Sequence, residues 1–139
     1  MSRTRTQPAP LNLQWGWVFG SAIAGLALLM ALHYVYITFY SHVLHPERDM
    51  AFFMDHVRYS GPYFVMIAGA PVMFLLCLLA GRFIRTDIVA NCLLMAVVMT
   101  AISTIMLVMS DDLRLVTVPA HAALFLGAYL GGALAKKSA

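Results

Sequence analysis

The chain is short of charge: Asp, Glu, Lys and Arg make up 11% of its 139 residues, against about 25% in a soluble globular domain. With 62% apolar residues, a water-soluble fold of this length has nowhere to hide so much hydrocarbon. The few charges are also unevenly placed. Four stretches of roughly 20 residues or more hold none, and that is the length an α-helix needs to cross the apolar part of a bilayer.

Cysteine is nearly absent too. Only Cys77 and Cys92 occur, both inside apolar stretches, so a disulfide framework and a C-x-x-C redox motif are excluded. The nine Lys and Arg fall in ones and twos between apolar blocks, which leaves no basic face for nucleic acid despite the positive net charge. No pattern in the chain points to a catalytic residue. Arg3 and Arg5 precede an apolar run as they would in a signal peptide, but the run is too long for an h-region and reads as a first span that stays attached.

What is present predicts an all-α membrane protein, a four-transmembrane-helix bundle. Residues 1–14 read as a disordered cytoplasmic tail and residues 15–137 as the transmembrane domain, with spans at about 15–40, 61–81, 88–109 and 115–135. Aromatic residues gather at both ends of the first span, Trp15, Trp17 and Phe19 at one and Tyr34, Tyr36, Phe39 and Tyr40 at the other, as rings seeking the two interfaces do. The polar segment between the first two spans starts with Pro46, Glu47 and Asp49 and continues with Met50, Phe53, Met54 and Val57 at helical spacing, which predicts a short amphipathic helix in the first outer loop. Ser60 is the expected N-cap of the second span, and Pro71 is expected to bend it.

Orientation follows from the basic residues. Arg3, Arg5, Arg82, Arg85, Lys136 and Lys137 share one side, and only Arg48, Arg58 and Arg114 fall on the other. The positive-inside rule therefore puts both termini in the cytoplasm, with a bacterial inner membrane as the natural setting.

Apolar side chains gain nothing by leaving lipid for one another, so spans associate through close backbone approach and interhelical hydrogen bonds. Two small-residue stripes meet that need: Gly16, Gly20 and Ala24 in the first span, and Ala123, Gly127, Gly131 and Ala135 in the fourth. The sequence leaves open whether they meet within one chain or between copies, and economy favours the first span against the fourth. So small a bundle has little interior, so the expected partners beyond the bilayer are a second copy or a larger membrane complex.

Two groups of residues are candidate sites. Within the membrane, His33 and His121 fall at similar depth in the outer leaflet, with Tyr36, Thr117 or backbone carbonyls as expected hydrogen-bond partners. Thr100, Ser103 and Thr104 rise along one side of the third span toward Asp111. On the outer face lie His42, His45, Glu47, Asp49, Asp55, His56, Asp111 and Asp112. His42 and His45, three apart, would share a helix face and could offer two ligands to a transition metal. The duller reading is a solvated loop, with Asp55 pairing to Arg58. Cys77 and Cys92 fall at matching depth and, with Met73, Met95 and Met99, offer soft ligands of the kind Cu(I) takes, although methionine is also a common gap-filler.

Known families of similar size do not fit. Small multidrug exporters depend on a carboxylate in the first span, and disulfide-generating quinone reductases on paired outer cysteines; this chain has neither. The reading that asks least is a non-catalytic subunit that acts by assembling. A small channel or transporter using the third-span hydroxyls is the alternative, and a haem- or metal-dependent electron carrier using His33 and His121 is the second alternative.

Overall fold

A computed structural model of the chain describes residues 12–111 and 114–138. These form four long α-helices: α1 (Trp15–Phe39), α2 (Met50–Ala80), α3 (Ile88–Met109) and α4 (Thr117–Ser138). All four are long and apolar enough to cross a membrane. The end that carries Trp15 and Ser138 is here the terminal end, and the end that carries the 40–49 and 110–116 connections is the loop end.

The third span matches its sequence limits. The second does not. The expected surface helix and second span are one helix of 31 residues, about 46 Å at 1.5 Å per residue and so longer than the hydrocarbon core. Asp49 starts it, accepting a hydrogen bond from the Phe52 backbone N–H at 3.0 Å. Ser60, expected to be the cap, lies buried in its interior. The Ser-Gly-Pro run misleads because a proline costs a helix the bond to the carbonyl four residues back. Here the helix runs through both Pro62 and Pro71, as transmembrane helices do when neighbours support the freed carbonyls.

At the other side of that connection, α1 passes into a π-helical turn over Tyr40–Leu44, closed by the His45 N–H on the Tyr40 carbonyl at 3.1 Å. The wider turn breaks the three-residue register that would have aligned His42 with His45.

The helices pack in the cyclic order α1, α2, α4, α3, which leaves α1 opposite α4 and α2 opposite α3. The expected seam between the first and fourth spans is therefore replaced by one between α4 and α2. A Cβ on Gly127 would collide with the backbone of Ala70, and one on Gly131 would lie 2.5 Å from the Phe74 carbonyl oxygen. Only glycine lets the two backbones come this close. The α4 stripe thus works within the chain, whereas at Gly16 and Gly20 on α1 nothing lies within 4 Å of an added Cβ.

At the terminal end the interior is sealed. Met73, Met95 and Met99 fill it together with Cys77 and Cys92, all fully buried. The two cysteines, on α2 and α3, flank neighbouring glycines of α4 and so lie at the common depth expected of them. Gly131 packs on Cys77 and Gly132 on Cys92. Asn91, also fully buried, ties this end together. Its Nδ2 donates to the Asp87 carbonyl at 3.1 Å, the Thr86 carbonyl at 3.2 Å and the Asn12 carbonyl at 3.3 Å, and its Oδ1 accepts from the Gln14 N–H at 2.8 Å. Asp87, in the left-handed conformation at φ 49°, accepts from the Asn12 N–H at 2.8 Å. Residues 12–14 of the expected tail are held in this way; residues 1–11 lie outside the described residues. Trp17 stacks on Phe83 at 4.8 Å beside them.

Candidate functional site: an intramembrane cavity between two histidines

Above the methionine layer, toward the loop end, the bundle opens into a cavity of about 250 Å³ reached by all four helices. Leu26, Leu29 and His33 come from α1, Gly61, Pro62 and Val65 from α2, Ser103 and Leu107 from α3, and Ala120, His121 and Leu124 from α4. The opening has a sequence cause. Where the terminal half carries methionines at the axis, this half carries Gly61, Ser103 and Ala120, which are too small to fill the same width.

Both wall histidines pair with a serine, and Arg58, Ser103 and Thr117 are the other polar residues of mostly apolar walls. His33 Nε2 lies 3.0 Å from the Ser60 hydroxyl, and His121 Nε2 lies 3.4 Å from the Ser103 hydroxyl. Each pair joins neighbouring helices, α1 to α2 and α3 to α4, and the histidines occupy opposite helices of the bundle. Interhelical hydrogen bonds of this kind are what holds spans together where apolar contacts gain nothing over lipid. Phe64 covers the His33 ring at 5.1 Å.

The two histidines meet at one cavity, as a common depth requires, but their partners differ from those expected. Tyr36 donates or accepts at His56 Nε2, 3.0 Å away, instead of reaching His33. Thr117 donates to the Arg114 carbonyl at the start of α4. Of the third-span stripe only Ser103 lines the cavity. Thr100, one turn lower, has a buried hydroxyl oxygen without a hydrogen-bond partner, and Thr104 is half-buried beside it.

The loop-end residues are spread among separate tasks. His56 lies flat on Tyr40, with ring centroids 3.8 Å apart, and His45 tilts against the same tyrosine at 4.7 Å. His42, exposed, places its Nδ1 3.1 Å from the Thr38 carbonyl. Asp49 caps α2, Glu47 and Asp55 are exposed, and the Asp111 carbonyl lies 3.5 Å from an Arg58 guanidinium nitrogen. Asp112 lies outside the described residues. Among the described residues no three of His, Cys, Asp and Glu converge as a metal site would require.

Sequence reasoning missed Ser60, Gly61 and Pro62 as part of this site, because it placed them at a helix start. A depth count across the first hairpin, of the kind that pairs His33 with His121, is the signal that would have found Ser60.

No family model, curated protein or solved structure matches the chain. Its function is therefore argued from its own geometry.

Proposed function

We propose that this protein is a small, non-catalytic membrane subunit that acts by assembling, with α1 as its docking helix and a second copy as the first partner. The observation that carries the reading is the open face of α1. The stripes elsewhere in the chain are consumed internally: Gly127 and Gly131 on α2, and Gly25 of α1 itself against Leu76 and Met99. Gly16 and Gly20 remain uncovered, and with Ala24, Ser21, Trp17 and Leu76 they border a shallow groove on the bundle surface.

A small-x-x-x-small face is the usual seat for another span. It is also self-complementary, so two copies related by a two-fold axis bring glycine against glycine. The rest of α1 adds to the argument, since only Val18, Ala22, Gly25 and Leu29 of its 25 residues are buried. The basic residues that flank the terminal end support a cytoplasmic position for both termini.

A transport role has one supporting feature, the His121–Ser103 pair above the buried Thr100 hydroxyl. Toward the terminal end that route meets methionine and cysteine, so it lacks a continuous polar lining.

Native mass spectrometry in mild detergent tests the assembly reading. The unaltered chain is expected as a dimer, and Gly20→Leu as a folded monomer with unchanged helix content, since nothing within the chain lies within 4 Å of a Cβ at that position. A wild-type chain that is monomeric in both detergent and nanodiscs, or a Gly20→Leu dimer as robust as the original, overturns it.

A further inference from the structure

The cavity between His33 and His121 plays no part in helix docking, and its chemistry is specific enough to suggest an occupant. We propose that it binds the ring of a lipid-soluble quinone or quinol, one per chain.

Size comes first. A cavity of roughly 150 Å³ admits benzene, so about 250 Å³ takes a substituted six-membered ring.

Access comes next. Met30 on α1 and Met106 on α3 line the cavity, yet they are 62% and 49% exposed. The cavity therefore reaches the lipid-facing perimeter between those two neighbouring helices. A ligand that enters there arrives from hydrocarbon and leaves its apolar tail behind in it.

Polarity then selects within the apolar class. The imidazoles stand on opposite helices, and Leu29, Val65 and Leu124 share the cavity wall with them. A ring with oxygens on opposite edges and apolar faces has the matching pattern. Each imidazole, and each serine hydroxyl bonded to it, has both donor and acceptor capacity. The two imidazoles and the Ser103 hydroxyl can thus donate to the carbonyl oxygens of a quinone and accept from the hydroxyls of a quinol. A phospholipid phosphate would instead have to leave Arg58, a charged residue of the lining, for walls that are otherwise mostly apolar. The ligand is bound, not converted, and no electron transfer is involved.

The experiment is calorimetric titration of the full chain in phosphatidylcholine nanodiscs with a decyl-substituted benzoquinone, beside decylbenzene, which has the same ring and tail without oxygens. Saturable binding at one site per chain is expected, with decylbenzene about tenfold weaker or worse, the loss expected for missing hydrogen bonds. His33→Leu and His121→Leu are each expected to weaken the quinone by about tenfold, and His121→Asn, which keeps a donor and an acceptor, to recover part of that loss. Leu29→Trp fills the cavity without altering either histidine and is expected to abolish binding.

Equal affinity for quinone and decylbenzene overturns the proposal, as does wild-type affinity in both histidine variants. Absence of saturable quinone binding, with one phospholipid retained per chain in native mass spectrometry, overturns it in favour of a lipid site. Should the leucine variants fail to fold, the two-ligand comparison on the unaltered chain decides alone.

Discussion

The two halves of this bundle are built from the same four helices and packed by different means. In the terminal half, glycines of α4 let its backbone lie against α2, and methionine and cysteine side chains flow into what space remains. In the loop half, imidazoles, hydroxyls and aromatic rings replace them, and the interior stays partly open. The contrast teaches that in a membrane, where burial alone contributes little to association, tightness follows from how closely backbones approach. A half whose helices are joined by side-chain hydrogen bonds is free to keep a cavity.

The strongest way to break this comparison is at Gly127. Gly127→Ala puts a methyl group into the Ala70 backbone, which cannot yield as a side-chain tip can. A loss of about 3 kcal/mol or more is expected, with aggregation on size-exclusion chromatography and a collapse of the unfolding temperature. Survival of the fold with unchanged stability would remove the backbone-contact argument for the terminal half.

Asn91→Leu is next. It leaves the Gln14 N–H and the Thr86 and Asn12 carbonyls without this partner in a part-buried setting, and about 2 kcal/mol of destabilisation is expected. Hydrogen exchange of residues 12–18 should quicken in the same variant, and exchange that does not change would mean that Asn91 is not what holds α1 at that end.

The smallest effect has the opposite sign. Gly61 lies in the cavity wall inside α2, and a Cβ there would meet only the His33 ring, at an ordinary 3.7 Å. Gly61→Ala should therefore gain about 0.5–1 kcal/mol from helix propensity alone, read as a rise in unfolding temperature. A fall would show that the loop half is packed more tightly than its cavity indicates.

Much of this architecture was legible in the sequence, and the failures are instructive. The limits of α3 follow from an uncharged block between Asp87 and Ser110. The shared depth of His33 and His121 follows from counting rises along two helices that start from known ends. Counting also brought Cys77 level with Cys92. Ser60 was misread because a Ser-Gly-Pro run carries the same local signal whether a helix starts there or passes through with its neighbours' support. The partner of the α4 stripe was misassigned for a related reason: a row of glycines says that some backbone comes close, and nothing in the row says which. The His42–His45 spacing failed because a π-helical turn leaves no local mark that distinguishes it from an α-helical one.

The fastening at Asn91 reaches across 77 positions of the chain to the residues that introduce α1. A polypeptide is made from its N-terminus, so the first span enters the bilayer well before the asparagine that will fix its register has been translated. Until the third span arrives, α1 is held by its contacts with α2, the His33–Ser60 and Tyr36–His56 pairs among them, and its terminal end is not yet fastened. A latch on the earliest helix therefore closes late, from a residue made 77 positions after the segment that it holds.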